Sequence, residues 1–181
     1  MIVIFQNEIR SFFYNVGFHI GRLSHRFSGN SKDAHSKAID QLVSACKNMS
    51  SSRTGALIVL EGHQDLSEYA DTGERLDARL SVRFVEQIFY KNTPLHDGAL
   101  LVRENRLLSA SCVLPLASDR DIPKQYGLRH RAGLGIAEQT DAVAIIVSEQ
   151  TGEICLAYGD TLETVVPDHL SERVEVLWNG L

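Results

Sequence analysis

The chain has 181 residues, of which 44% are hydrophobic and 23% are charged. These values are typical of a folded globular protein and exclude bulk disorder, collagen and coiled-coil arrays. The net charge is −5, from 18 Lys and Arg against 23 Asp and Glu. An acidic balance disfavours proteins that bind the nucleic-acid backbone, so no nucleic-acid partner is expected.

The first thirty residues are predicted to be an appendage to one larger domain. A mixed apolar face predicts a helix over residues 2–16, and the glycines of residues 17–30 predict a linker. We therefore expect an N-terminal segment over 1–30 and one domain over 31–181. No stretch of the sequence reaches the roughly 20 apolar residues of a membrane span.

Predicted helices and strands alternate along the rest of the chain. The apolar periodicities and turn residues indicate helix 31–49, strand 55–60, loop 61–77, helix 78–91, strands 99–102 and 107–112, loop 115–126, helix 128–139, strands 142–147 and 153–158, and helix 168–178. Two hairpins lie among these elements. The pattern therefore predicts an α/β fold with a mixed parallel and antiparallel central sheet flanked by helices.

The first candidate functional segment is Pro94–Ala99, between a helix and a strand. His96 beside Asp97 offers a divalent-cation site or a group that orients a hydroxyl. Gly98 lets a ligand approach the backbone closely. The alternative is an ordinary turn in which Asp97 and Gly98 make local hydrogen bonds.

The second candidate segment is Gly127–Arg131, at the start of a predicted helix. Two guanidiniums and an imidazole at a helix N-terminus favour phosphate binding, because the helix dipole and the N–H groups attract anions. The alternative is a solvated basic cluster. A third candidate is Glu149 after Ser148, a metal ligand at a strand tip or simply a turn residue.

Known nucleotide-binding patterns are absent from the sequence. It contains neither GxxxxGK[ST] nor GxGxxG, and no GxSxG nucleophile elbow. An acidic segment and a cationic phosphate clamp on one sheet are the parts that phosphoryl or nucleotidyl transfer requires.

Two motifs carry a family resemblance. Leu95-His96-Asp97-Gly98-Ala99 and Arg129-His130-Arg131 resemble the DGA and RHR motifs of diadenylate cyclase domains (DAC, DisA_N-type). The resemblance covers about residues 50–160 and includes Val147-Ser148-Glu149 in the same order. It implies the fold of that family and the condensation of two ATP molecules into cyclic di-AMP with release of two pyrophosphates.

The N-terminal residues 4–10 resemble the segment that follows the transmembrane helices of membrane-anchored CdaA-type members. This likeness implies a cytoplasmic catalytic domain that is tethered to the cell membrane in a longer protein. A membrane anchor and regulatory protein partners are expected in that longer protein.

The resemblance also assigns roles to residues. It implies that Asp97 activates the ribose 3′-hydroxyl and that a divalent ion, Mg²⁺ or Mn²⁺, assists it. The residues implied to act on phosphates are Arg129, His130 and Arg131; those implied to bind the nucleotide are Gly98, Ala99, Gly127, Leu128, Ser148 and Glu149; those implied to bind the metal are Asp97, His96 and Glu149.

Two positions depart from the family pattern. Leu128 stands where many members have threonine, which removes a hydroxyl, and Gln150 follows Glu149 where many members have a second glutamate. A catalytically silent nucleotide-binding regulatory module is therefore an alternative function. A metal-dependent phosphohydrolase that uses His96, Asp97 and His130 is another.

The implied reaction has a geometric consequence. Two ATP molecules must each attack the α-phosphate of the other, and the family holds one ATP per subunit. A homodimer with its sites face to face is therefore expected to be required for catalysis.

Overall fold

The computed structural model describes residues 30–118 and 126–179. The contacts reported below lie within one unit of the chain, His35–Leu181. The helix predicted over 2–16 and the linker predicted over 17–30, apart from Asn30, lie outside the described residues. The domain boundary after residue 30 stays a prediction.

The described residues form five α-helices, seven strands and one 3₁₀ turn. In chain order they are α1 (Asn30–Ser51), β1 (Ala56–Leu60), α2 (Ser67–Ala70), β2 (Glu74–Arg79), α3 (Val82–Ile88), β3 (Ala99–Arg103), β4 (Arg106–Cys112), α4 (Leu128–Gln139), β5 (Val143–Val147), β6 (Ile154–Tyr158), β7 (Thr161–Val165), the 3₁₀ turn Pro167–His169 and α5 (Leu170–Asn179). Within this described part of the chain, no helix is both long and apolar enough to cross a membrane.

The seven strands form one sheet in the order β2-β4-β3-β1-β5-β6-β7. β1 and β3 are parallel, and the other neighbouring strands are antiparallel. This confirms the predicted mixed sheet. β1 and β5 are buried at every position, and burial on both faces explains why each is a continuous apolar run.

Helices cover both faces of the sheet. On one face, α1, α3 and α5 pack against alternate residues of the central strands, such as Ile58, Leu100 and Ile145. On the other face, α4 packs against the intervening residues, such as Leu57 and Ile146. The alternation of side chains along a strand produces these two separate cores.

Two strands were not predicted from the sequence. β2 lies in the polar stretch interpreted as a loop. It is an edge strand that pairs only with β4, and a register shift between Arg75 and Ala78 interrupts it where Asp77 takes a φ of 44°. β7, at the other edge, was also missed. Edge strands need little apolar surface, so neither has a clear hydrophobic pattern.

α3 is shorter than the predicted helix 78–91. It begins after Ser81, whose hydroxyl accepts a hydrogen bond from the Phe84 N–H group. It ends at Ile88, six residues before Pro94. There the Thr93 hydroxyl donates to the Tyr90 carbonyl at 2.8 Å, so the chain has already left the helix when it reaches the proline.

An ion-pair network closes the carboxyl ends of β1 and β3. Glu61 follows β1 and is only 3% exposed. Arg103 of β3 donates to both of its carboxylate oxygens, at 2.6 and 2.8 Å, and to Asp65 at 2.6 Å. The Trp178 indole donates to the Glu61 carbonyl at 2.8 Å, which ties α5 to the same point.

We expect Arg103→Ala to lower the free energy of unfolding by about 3 kcal/mol, because Glu61 would be left buried without its cation. The matched control is Arg106→Ala, which breaks the exposed pair with Asp77 and should cost less than about 1 kcal/mol. Urea unfolding of both variants measures the difference. Equal losses would contradict this account of the network.

Candidate active site at one edge of the sheet

The strand pairing brings two of the candidate segments to one end of the central strands. Ile58 faces Leu100 in the parallel β1–β3 pair, so Gly55 and Asp97, which come shortly before these strands, lie at the same end of the sheet. Ala56 faces Val147 in the antiparallel β1–β5 pair, so Gly55 also lies beside Ser148. Asp97 precedes β3 and Ser148 follows β5, so both lie at the end of the sheet where β1 begins.

Arg129 and Glu149 form an ion pair at this end of the central strands. Arg129 lies in the first turn of α4, and its Nη1 is 2.5 Å from Glu149 Oε2. A Cβ atom at Gly55 would lie 2.7 Å from that carboxylate oxygen and 2.9 Å from Nη1. The pair therefore lies directly over Gly55, and a larger residue there would displace it.

Asp97 is presented to solvent by a fixed backbone. Its side chain is 84% exposed, while its carbonyl accepts a 2.6 Å hydrogen bond from the Ser111 hydroxyl. Gly98 follows with a φ of 92°, and a Cβ atom there would lie 2.7 Å from the Ser111 carbonyl carbon. Glycine is therefore required next to Asp97, for its conformation and for its small size.

His96 is oriented toward Asp97. Its Nδ1 is 2.6 Å from the Thr93 carbonyl oxygen, and a carbonyl can only accept, so Nδ1 carries the hydrogen. Nε2 then faces Asp97 Oδ1 at 3.5 Å. One ring nitrogen of His96 and one carboxylate oxygen of Asp97 therefore lie side by side.

His130 points into the protein, whereas Arg129 lies at the surface of the site. His130 is 6% exposed and packs on Tyr126, with ring centroids 4.6 Å apart. Its Nε2 has no hydrogen-bond partner among the described residues. Burial lowers the pKa of His130 below its ordinary value; Glu153 opposes this shift and Arg129 adds to it.

The remaining predicted nucleotide residues lie around α4 and the strand ends. Gly127 caps α4 with an extended backbone and no side-chain hydrogen bond, and Leu128 after it is 68% exposed. The Arg131 carbonyl accepts from the Ala117 N–H group at 2.9 Å. Ala99, at the start of β3, is buried, so it can offer only its backbone to a ligand.

The three predicted metal residues are not gathered into one cluster. His96 and Asp97 are neighbours, but Glu149 is paired with Arg129. Over residues 30–118 and 126–179, no group of three or more His, Cys, Asp or Glu side chains could hold a metal ion by itself.

Sequence reasoning missed Gly55 and Tyr126 as site residues. Gly55 could have been identified from the sequence, because a glycine at the start of a buried strand indicates a close approach by another group. Tyr126 has no comparable signal, because its contact with His130 depends on how the chain enters α4.

The chain has clear relatives. Residues 43–162 match the family described as DAC, DisA bacterial checkpoint controller nucleotide-binding. Cyclic di-AMP synthase CdaA from Bacillus subtilis is 38% identical over 176 residues, which make up 97% of this chain and 64% of that protein. The chain thus spans less than two thirds of the length of this relative.

Two solved structures share the fold. The crystal structure of a double mutant of DacA from Staphylococcus aureus has a TM-score of 0.76 and 36% identity, and the match covers 78% of this chain and 95% of that one. The crystal structure of a hypothetical membrane spanning protein from Bacillus cereus has a TM-score of 0.68 and 32% identity, with 92% of this chain and 80% of that one covered.

The lowered pKa of His130 predicts a specific pH dependence. Below about pH 6.5 the unfolded imidazole takes up a proton that the folded protein does not yet bind, so acid should destabilise the folded state. We expect the free energy of unfolding of the wild type to fall relative to that of His130→Gln between pH 7 and pH 5. Urea unfolding at several pH values measures this. A difference that does not change with pH would contradict it.

Proposed function

The chain belongs to the DisA bacterial checkpoint controller nucleotide-binding family, and on this premise we propose that it is a diadenylate cyclase. It condenses two ATP molecules into cyclic di-AMP and releases two pyrophosphates. A relative that matches 97% of the chain is named cyclic di-AMP synthase. The observation that supports the proposal is that Asp97 and the Arg129–Glu149 pair lie at the same end of the central strands, with the pair over Gly55.

Arg129 binds the phosphates in this proposal. A guanidinium can make two parallel hydrogen bonds to phosphate oxygens, and the first turn of α4 adds the attraction of the helix dipole for anions. Arg131 supplies a second cation in the same turn. Arg129 donates Nη1 to Glu149 in this structure, and its other N–H groups are the donors for a phosphate.

Asp97 takes the proton of the attacking ribose 3′-hydroxyl. Each 3′-oxygen forms a bond to the α-phosphorus of the other ATP as the bond from that phosphorus to the pyrophosphate breaks. Arg129 and Arg131 neutralise the charge that gathers on the phosphates. The exposure of Asp97 and the backbone held by Ser111 support this role, since the carboxylate is reachable and its position is fixed.

A divalent ion, Mg²⁺ or Mn²⁺, fits the chemistry of these residues. Mg²⁺ is usually bound by one or two carboxylates together with substrate phosphates. Asp97, with His96 beside it, and Glu149 are the side chains that would hold the ion together with oxygens of the triphosphate. When bound, the ion neutralises phosphate charge and lowers the pKa of a bound hydroxyl.

A homodimer is required, because one subunit binds only one of the two ATP molecules. Two sites that face each other supply the high effective concentration that the reaction needs. Three large apolar side chains are exposed on segments that belong to or adjoin the site, Val113, Leu116 and Leu128. An exposed apolar side chain at Leu128, where many family members have threonine, suits a contact with the second subunit better than a hydrogen bond to phosphate.

We also place this domain on the cytoplasmic side of a membrane, tethered through a longer chain that regulatory proteins can reach. The support is that the CdaA relative extends beyond the matched region and that one structural neighbour is described as a membrane spanning protein. Cell fractionation of the full-length protein tests this: recovery only in the soluble fraction would contradict it.

Incubating the purified chain with ATP and Mn²⁺ should yield cyclic di-AMP, measured by chromatography and mass. Since two subunits must meet, the rate per subunit should rise with protein concentration until the dimer is saturated. Bound but unchanged ATP would instead identify the silent regulatory module, and ADP or AMP would identify a phosphohydrolase.

Asp97→Asn should lower turnover by at least about 10²-fold, the usual contribution of a general base, while the affinity for ATP changes little.

Arg129→Ala should weaken ATP binding by about tenfold or more, because charge-assisted hydrogen bonds are lost. The control is Arg106→Ala, which removes an exposed cation from the opposite end of the strands, beside the carboxyl end of β3. Calorimetry and turnover assays separate the three variants; an Asp97→Asn enzyme with full turnover would remove Asp97 from its role.

Mixing the Asp97→Asn and Arg129→Ala variants tests the face-to-face arrangement. In a mixed dimer, one bond is formed with an intact Asp97 and an intact Arg129, whereas the other bond lacks both. The mixture should therefore accumulate the linear dinucleotide with one 5′-triphosphate, which neither variant forms alone. Mass spectrometry detects this product, and its absence would contradict the assignment of Asp97 and Arg129 to opposite partners of each new bond.

A further inference from the structure

The last turn of α1 packs against the turn that carries Glu149. This turn, Ser148–Gly152, joins β5 to β6 and is called the glutamate turn below. The Ser50 hydroxyl of α1 donates a 2.6 Å hydrogen bond to the Gly152 carbonyl. A Cβ atom at Gly152 would lie 2.6 Å from the Ser50 carbonyl oxygen, so the two backbones are also in direct contact.

The glutamate turn is closed by its own hydrogen bonds. The Ser148 hydroxyl accepts from the N–H groups of Gln150 and Thr151 at 3.3 and 3.2 Å. The Ser148 carbonyl accepts from the Gly152 N–H group at 2.9 Å. A turn closed at both ends in this way moves as a unit, so a displacement of Gly152 also displaces Glu149.

The connection between α1 and β1 meets the glutamate turn at a second point. The carboxylate of Glu149 lies over Gly55, where a side chain would collide with it. The end of α1 is itself fixed, since Thr54 donates its N–H to the Met49 carbonyl at 2.8 Å and Arg53 takes a φ of 50°. The left-handed conformation is common at helix ends because it satisfies their last carbonyls.

We propose that Ser50 is a positioning residue for the nucleotide site. Its hydrogen bond to Gly152 holds the glutamate turn, the turn holds Glu149 over Gly55, and Glu149 sets the orientation of the Arg129 guanidinium. Ser50 thus acts on the reacting phosphates without touching them. The inference rests on the proposed function, because it takes the nucleotide phosphate as the ligand of Arg129.

Ser50→Ala should lower kcat by about tenfold while the KM for ATP changes less than threefold, since small displacements of a site residue reduce the rate strongly. The matched control is Ser51→Ala, which removes a hydroxyl that donates to the Lys47 carbonyl of the same helix and should leave kcat unchanged. Ser50→Thr keeps a donor and should restore activity. Equal kcat values for Ser50→Ala and Ser51→Ala would overturn the proposal.

A double-mutant cycle with Glu149→Gln tests whether Ser50 changes kcat through Glu149. If Ser50 acts through Glu149, adding Ser50→Ala to Glu149→Gln should reduce kcat no further. Two reductions that multiply would mean that Ser50 acts by another route, and the proposal would then be wrong.

Hydrogen exchange of the Gly152 amide tests the contact without any nucleotide. Ser50→Ala should speed this exchange by at least tenfold and Ser51→Ala should not, because Ser50 bonds to the glutamate turn whereas Ser51 bonds within α1. Unchanged exchange would overturn the proposal even if the enzyme is active. Faster exchange in a protein that makes no cyclic di-AMP would instead show that the proposed function had failed while the contact stands.

Discussion

The parallel pairing of β1 with β3 is the contact on which the arrangement of the site depends. Parallel strands begin at the same end of a sheet, so Gly55, just before β1, and Asp97, shortly before β3, lie at the same end. An antiparallel pair would carry Asp97 to the far end of β1, about 15 Å away for a five-residue strand. The connection that makes parallel pairing possible is the long segment that contains α2, β2 and α3.

The ion pair of Arg129 and Glu149 is the second contact on which the arrangement of the site depends. A cation in the first turn of a helix is opposed by the helix dipole, and the carboxylate offsets this cost while the site holds no ligand. The same contact keeps a long and flexible side chain in one orientation. In the proposed function, the guanidinium is therefore already oriented when its remaining N–H groups meet a phosphate.

Much of this architecture could be predicted from the sequence, and the failures have physical reasons. Strands buried on both faces, such as β1 and β5, are continuous apolar runs, whereas the edge strands β2 and β7 carry little apolar signal. The basic residues at the start of α4 were identified, but three consecutive positions on a helix point about 100° apart, so His130 turns inward. The Ser50–Gly152 contact joins residues 102 positions apart, which no local pattern can reveal.

The ion-pair network at the carboxyl ends of β1 and β3 affects where this fold can bind a ligand. In open sheets with parallel strands, ligands usually settle in the crevice beyond the carboxyl ends of those strands. Here hydrogen bonds join Glu61 to Arg103 and Trp178 at that end, and the candidate residues lie at the end where β1 and β3 begin. Under the proposed function, the nucleotide therefore enters this fold at the amino ends of its two parallel strands.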